Sequence, residues 1–242
     1  MAPLTEEEVS LLRERIYTAA IVDGHSHNLV DHRASSFPFL RAFTEAEGDA
    51  VQFAPHTLSF KRSMRDIATL YGCSASFNTI EQYRLTQTME ALCSKCLEAT
   101  NLSAVLIDDG LRLEKMYLLE WHKSIFPNVH RVLRIETLAE SLIKEGISGG
   151  VKWTFNDFLD RLISVLKESS GQVVAFKSIA AYRGGLNIDP HVSKAQAEVV
   201  FTRYVQSGAP IRIDDKCLLD FIFLCGLEVA TQCGLPIQIH TG

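Results

Sequence analysis

The feature that most constrains the fold is a repeated alternation of short, apolar, β-branched runs with longer segments of helical periodicity. Strands are predicted in five runs, at 19–28, 103–110, 131–137, 173–182 and 235–242. Helices are predicted at 138–146, 154–171, 193–208 and 216–234, with Ser193 as an N-cap and Gly171 as a C-cap. Repeated βα units predict an α/β protein with a parallel sheet, either open and doubly wound or closed as a (β/α)8 barrel.

The connection between the first two predicted strands is much longer than the others. It spans about 75 residues, whereas most connections in compact domains are short. Helical patterns occur around 61–100, so we expect a helical insertion at about 29–100 within one domain that covers 1–242. The stretch VDGHSHN after the first strand lacks the glycine spacing of a dinucleotide-binding turn.

Composition and charge exclude several classes of partner. The net charge is −5, and the sequence contains no block of lysine or arginine. It therefore predicts no basic surface that would bind nucleic acid or an anionic membrane, and a small polar substrate is favoured. The N-terminal stretch is amphipathic and acidic, unlike a signal peptide, and no apolar run is long enough for a membrane span, so a cytoplasmic protein is expected. The cysteines are expected to be reduced, and the pair Cys93 and Cys96 to be structural, because no second pair completes a zinc site.

Histidines lie near the ends of the first and the last predicted strands. Alternate strand residues face one side, so His25 and His27 share a side, about 7 Å apart along the strand. Two imidazoles in this arrangement suit one divalent metal, and His240 at the tip of the last strand could be a third ligand. The alternatives are loop histidines at 25 and 27 and a hydrogen-bonded histidine at 240.

Charged residues also occur in the predicted strand 173–182 and just after it. Strand parity places Lys177 and Arg183 in one row. A buried Lys177 would need a counter-charge, a metal-bridging carbamate or loss of its charge, or it could reach water at the strand end. Arg183 could grip a substrate carboxylate with its planar fork, or close a turn at the surface.

Two further pairs lie at the ends of the second and third predicted strands. Arg134 and Glu136 share a face and predict either a structural ion pair, which we favour, or substrate contacts. Asp108 and Asp109 point to opposite sides, so at most one of them enters a site at this edge. The sequence leaves open which one does.

These motifs resemble a known family. The stretches VDGHSHN, VLIDDG, RVLRIETLAE, FKSIAAYRGGL and LPIQIHTG are similar to the N-terminal amidohydrolase-like domain of the plant nodulin/glutamine-synthetase-like proteins, the FluG type. The similarity runs over essentially the whole chain, and also covers non-catalytic stretches such as EWHKSIFP.

The resemblance implies a TIM-like (β/α)8 metal-dependent hydrolase barrel, of which about five βα units are present. It implies a divalent metal, such as zinc, held by His25, His27 and His240. The metal-bridging carbamate considered above makes Lys177 a tentative further ligand. The expected reaction is hydrolysis of an amide-type bond, or a non-oxidative decarboxylation as in one branch of the superfamily. The family's further histidine near strand six and aspartate of strand eight have no counterpart in this sequence.

Gly242 is therefore expected to be a truncation point, with the last strands and the family's glutamine-synthetase-like domain absent. A chain without the strand-eight aspartate is expected to be a weak or inactive enzyme. The alternative function is a non-catalytic binding or assembly module for a glutamine-synthetase-like partner or for a second copy of the chain.

Overall fold

The computed structural model describes residues 3–31, 33, 38–111, 113–149, 153–207 and 210–241. In this part of the chain one parallel sheet of five strands runs in the order β1-β2-β3-β4-β5. The strands are β1 Ile21–His27, β2 Leu102–Asp108, β3 Val129–Arg134, β4 Ala175–Ser178 and β5 Ile237–Ile239. The order never reverses, so the doubly wound alternative, which needs a switch point, is wrong. The predicted α/β class with parallel strands is confirmed.

The helices lie where the sequence pattern changes period. Their bounds are α1 Glu6–Thr18, α2 Leu58–Tyr71, α3 Phe77–Thr86, α4 Met89–Ala99, α5 Leu119–Ile125, α6 Ile135–Ser148, α7 Phe155–Ser169, α8 Lys194–Ser207 and α9 Lys216–Cys233. Two 3-10 helices, Phe39–Phe43 and Gly48–His56, precede α2, and a third, Ala180–Tyr182, follows β4. Among the described residues, no helix combines the length and apolar character needed to cross a bilayer.

The chain divides into two compact units. The first comprises 1–24, 28–105 and 112–129, and the second comprises 25–27, 106–111 and 130–242. The first unit has its own core, built mainly from α2, α3 and α4: Phe60, Met64, Ala68, Tyr71, Ile80, Met89 and Leu92. Beside this core, burial raises the pKa of the Cys93 thiol to about 11, which keeps it protonated and supports the structural interpretation of the C-x-x-C pair.

The second unit has the larger core, in which α6, α7, α8 and α9 pack together and α6 and α9 contact β4. Helix α7 shows why these segments are helical. Five apolar residues recur at helical spacing and are buried, namely Phe155, Phe158, Leu159, Leu162 and Leu166, and Thr154 and Asp157 form a reciprocal capping box at its start. Helix α9 begins at the N-cap Asp215 and ends at Gly234, whose φ of 65° suits a glycine.

Several predicted bounds are wrong, and they share one physical cause. The predicted strand 131–137 ends at Arg134, because α6 begins at Ile135, and the predicted strand 173–182 ends at Ser178, where the chain turns into a 3-10 helix. Apolar β-branched runs continue across these strand ends because the following turn is also buried.

Ser193 does accept the Gln196 N–H as predicted, but the C-cap of α7 is Ser170 instead of Gly171. Gly208 and Gly242, which end two predicted elements, lie outside the described residues.

The core of the second unit predicts a clear difference between two leucine truncations. Leu162 on α7 is 0% exposed, whereas Leu227 on α9 is 44% exposed. We expect Leu162→Ala to lower the free energy of unfolding by about 2–5 kcal/mol, because it leaves a cavity. The matched change Leu227→Ala should stay within about 0.5 kcal/mol. Urea denaturation of both variants measures this, and equal losses would contradict the assigned packing.

Candidate functional site

The carboxyl ends of the strands in the second unit bring most of the predicted site residues together. His25 and His27 end β1, Asp108 ends β2, Arg134 ends β3 and Lys177 lies in β4. Their alignment follows from the sheet register, which pairs Arg134 with Lys177 and Lys177 with Gln238. Residues paired across parallel strands lie side by side at the same edge, so charges far apart in sequence become neighbours. His240 follows β5 directly.

The three histidines are close together, though their spacing does not match that of a bound metal. The ring centroids of His25 and His27 are 5.4 Å apart, and those of His25 and His240 are 6.5 Å apart. Zinc–nitrogen bonds of about 2.0–2.1 Å place two imidazoles of a tetrahedral site about 5 Å apart between centroids. The first pair fits this spacing and the second is too wide. Accordingly, no group of three metal-competent side chains is poised around one point in the described ranges.

His27 is oriented by a backbone carbonyl. Its Nδ1 lies 3.0 Å from the carbonyl oxygen of Asp108. A carbonyl oxygen can only accept, so Nδ1 carries a proton, and in the neutral ring Nε2 is the nitrogen with the lone pair. Metal-binding histidines are commonly fixed in this way, by donating their second ring N–H to a carbonyl or carboxylate. The arrangement therefore leaves His27 Nε2 ready to bind a cation.

His240 is held by its backbone and by its ring. Its peptide N–H donates to the carbonyl oxygen of Ser178 at 3.1 Å. Its ring stacks on Tyr182, with centroids 4.0 Å apart and an interplanar angle of 24°. Among the described residues, the buried Nε2 atom of His240 has no hydrogen-bond partner. A buried polar atom without a partner is costly, and in the tautomer that carries the proton on Nδ1 a bound cation would satisfy Nε2.

Asp108 carries the charge that balances this edge of the sheet. Its Oδ2 accepts from Arg134 Nη2 at 2.5 Å and Nε at 3.1 Å, and lies 3.0 Å from Lys177 Nζ, while the residue is only 1% exposed. Burial raises the pKa of Asp108, but the hydrogen bonds and charge of Arg134, together with Lys177, outweigh burial and hold the pKa below its usual value. Asp108, rather than Asp109, is thus the aspartate that enters the site; Asp109 pairs with the half-buried Arg131.

Lys177 also contacts His25. Its Nζ lies 2.8 Å from His25 Nε2, and an ammonium only donates, so the imidazole accepts. Burial, followed by the Lys177 charge, lowers the pKa of His25, which keeps the ring neutral. The structure thus provides the counter-charge that a buried lysine requires, through Asp108. An ammonium cannot coordinate a cation, so the predicted ligand role of Lys177 would require loss of this charge.

Two predicted contacts are rearranged. Arg134 bonds to Asp108, and the favoured pairing with Glu136 fails because Glu136 lies in α6, so strand parity does not apply to it. Arg183 does not share a strand row with Lys177, since it follows the 3-10 helix. The structure places Arg183 Nη1 3.0 Å from Glu140 Oε1 and 3.4 Å from the Ile213 carbonyl oxygen.

Sequence reasoning missed three residues of this region: Tyr182, Ser178 and Glu140. Glu140 could have been found, because Glu136 and Glu140 lie one turn apart in α6, on a face that is otherwise apolar and buried. A charged residue on a buried face needs a partner. The roles of Tyr182 and Ser178 depend on the turn after β4, which the apolar run conceals.

The Asp108 network leads to a prediction with a neighbouring control. We expect Asp108→Asn to lower the free energy of unfolding by about 3–5 kcal/mol, because it leaves Arg134 and Lys177 without their counter-charge in the interior. Asp109→Asn removes a half-exposed ion pair with Arg131 and should cost less than about 1 kcal/mol. Urea denaturation separates these values, and similar losses for both aspartates would contradict the central role of Asp108.

Comparisons with known proteins agree with this architecture. No family model matches the chain. A curated relative, "Protein fluG" of Emericella nidulans, is 31% identical over an alignment of 265 residues that covers 97% of this chain and 30% of the relative. The chain thus spans about a third of the length of that relative.

A solved structure from Lactobacillus casei ATCC 334, named a "putative metal-dependent hydrolase", superposes with a TM-score of 0.74 at 22% identity. The superposition covers 96% of this chain and 60% of that one. At this level of identity the match establishes the fold: the chain has the α/β fold of a protein named as a metal-dependent hydrolase.

Proposed function

We propose that this chain is the amidohydrolase-like part of a FluG-type protein, and that it binds a divalent metal through His25, His27 and His240. The similarity to Protein fluG and the fold shared with a protein named as a metal-dependent hydrolase support this proposal. The observation that carries it is the buried Nε2 of His240, which has no partner in the described part of the chain and lies near the imidazole of His25, itself beside His27.

The chemistry of the donor set fits a metal. His27 is already in the tautomer that leaves Nε2 as a ligand, and His240 Nε2 needs a partner. His25 Nε2 accepts from Lys177, so this hydrogen bond must break before His25 can bind a cation. Nitrogen ligands suit zinc, iron and manganese, and we propose zinc, which imidazole binds well.

The proposed reaction is hydrolysis of an amide-type bond in a small polar substrate. A bound metal would supply Lewis-acid polarisation of the substrate carbonyl and a lowered pKa for water. Lys177 and Arg134 give this edge of the sheet positive charge, which favours an anionic substrate group or a developing oxyanion. Tyr182, 54% exposed and stacked on His240, offers an aromatic surface beside the metal ligand.

Asp108 is a poor candidate for the base that moves the proton of water. Its Oδ2 accepts from two buried cations, and these lower its pKa, which weakens its basicity. We therefore propose weak turnover for the 242-residue chain by itself. We also propose that the fold is of the TIM-like (β/α)8 barrel type and that the protein is cytoplasmic.

The alternatives use the same fold. A non-oxidative decarboxylase would use the same histidines and metal and would release carbon dioxide instead of an amine or ammonia. A non-catalytic module would bind a glutamine-synthetase-like partner or a second copy of the chain, and its histidines would have no effect on that binding. In this interpretation Arg183, which pairs with Glu140, remains a structural residue. In the enzyme Arg183 and Arg134 are proposed substrate contacts, whereas Glu136, which is 1% exposed, is not.

Zinc binding by the purified chain tests the proposal. We expect close to one equivalent of zinc by elemental analysis. His240→Ala should weaken zinc binding by at least the roughly 10- to 100-fold that loss of an outer-shell partner alone costs. His130→Ala is the matched control, because His130 is an exposed histidine of the same unit.

Three outcomes would contradict the metal site: no zinc in the wild type, an equal effect of the control, or no effect of His25→Ala. Co-purification with a glutamine-synthetase-like chain, unchanged in His25→Ala, would favour the assembly module.

A further inference from the structure

The sequence offers two roles for Glu136, an ion pair with Arg134 or a substrate contact, whereas the structure places it in the interior with other partners. It lies in the first turn of α6 and is only 1% exposed. Its Oε1 accepts from the Ser178 hydroxyl at 2.5 Å and from the Ile179 N–H at 3.1 Å. Its carboxylate therefore bonds to the residues where β4 ends.

These bonds shape the turn after β4. The Ser178 hydroxyl, which donates to Glu136, also accepts from the Ala180 N–H at 3.2 Å. Ser178 is 0% exposed, so water cannot replace either bond. The 3-10 helix Ala180–Tyr182 begins at this point. Glu136 thus fixes both the end of the strand and the start of the turn that carries Tyr182.

The same short segment holds His240 on two sides. The carbonyl oxygen of Ser178 accepts the His240 N–H at 3.1 Å, one residue beyond the pairing of Ser178 with Ile239. Tyr182, four residues after Ser178, stacks on the imidazole with a centroid distance of 4.0 Å. Both the backbone and the ring of His240 are therefore positioned by the segment that Glu136 fixes.

The burial of Glu136 is costly, which calls for an explanation. Its Oε2 is buried and has no hydrogen-bond partner among the described residues. Burial raises the pKa of the carboxyl group, although the bonds from Ser178 and Ile179 act in the opposite direction. A side chain that served packing alone could be apolar at this place without that cost.

We infer that Glu136 is a positioning residue that sets the place and orientation of His240 through Ser178 and the turn to Tyr182. The inference rests on the proposed function only in treating His240 as a metal ligand. It replaces substrate contact by Glu136 with control of the ligand. Glu136→Gln should preserve this role, because an amide oxygen can accept the same two hydrogen bonds and the atom without a partner becomes the amide nitrogen.

The ring signals of His240 in the metal-free protein, assigned by comparison with His240→Ala, provide the test. We expect Ser178→Ala and Glu136→Met to shift the His240 ring resonances in nitrogen-15 NMR spectra, and Glu136→Gln to leave them near their wild-type positions. Zinc affinity, measured by competition with a chromophoric chelator, should fall roughly 10-fold or more in the first two variants and stay close to wild type in the third.

Asp220→Leu is the matched control. Asp220 is also 1% exposed with one oxygen that has no partner in the described part of the chain, but it bonds to the Asp189 N–H and to Lys216. This control should destabilise the protein without moving the His240 signals. Equal shifts in Asp220→Leu would mean general loosening and would overturn the inference, as would unchanged signals in Ser178→Ala or failure of Glu136→Gln to preserve them.

The test still decides if one variant fails to fold or if the chain binds no zinc. If Glu136→Met does not fold, Ser178→Ala decides, because that change removes one hydroxyl and keeps the backbone. If the wild-type chain binds no zinc, the proposed function fails, while the spectra of the metal-free protein still show whether Glu136 controls His240.

Discussion

One buried carboxylate holds the carboxyl ends of four strands together. Asp108 at the end of β2 pairs with Arg134 of β3 and Lys177 of β4, and its backbone carbonyl accepts from His27 of β1. A buried cation without a counter-charge is costly, so the burial of Arg134 and Lys177 depends on the carboxylate of Asp108. Gly110 makes this possible, because a Cβ there would lie 2.6 Å from the Cβ of Arg134.

The same network decides what the histidine cluster can bind. Lys177 occupies the Nε2 lone pair of His25, so a metal would have to compete with a hydrogen bond inside the protein. Two buried cations against one carboxylate leave this edge positive, which opposes a further cation and attracts an anion. At the proposed metal site, coordination by imidazole lone pairs, which add no charge, would have to offset this repulsion. The 6.5 Å spacing of His25 and His240 shows how far the cluster must tighten for this to occur.

The second unit has a further buried polar layer along α6. Glu136 bonds to the end of β4, and one turn later Glu140 accepts from Arg183 and from the Ile213 N–H. Both carboxylates lie on the buried face of α6 and tie loops to it by hydrogen bonds. The positions of the loops after β4 therefore depend on hydrogen bonds to two glutamates of α6 as well as on packing.

Strand and helix patterns were predictable where one period holds over a whole segment. Helix α7 was predictable from its apolar spacing and its capping residues. The presence of five strands was predictable from short apolar runs, because these signals depend on local physics. The predictions failed where a buried run crosses a boundary. The alternation of strand residues placed Arg134 and Glu136 on one face, and likewise Lys177 and Arg183. However, β3 ends before Glu136 and β4 ends before Arg183, so the alternation does not reach either residue. A pattern of burial does not show where the backbone changes direction.

The sequence by itself therefore determined the α/β class, the order of elements and the placement of His25 and His27 near a strand end, because hydrophobic periodicity and short polar motifs are local properties. Only the tertiary structure decided which charges meet. The choice of Asp108 over Asp109, the bond from Lys177 to His25 and the hold of Glu136 on the segment around His240 all arise from strand register and from burial. These are properties of residues brought together from distant parts of the chain, and no local pattern contains them.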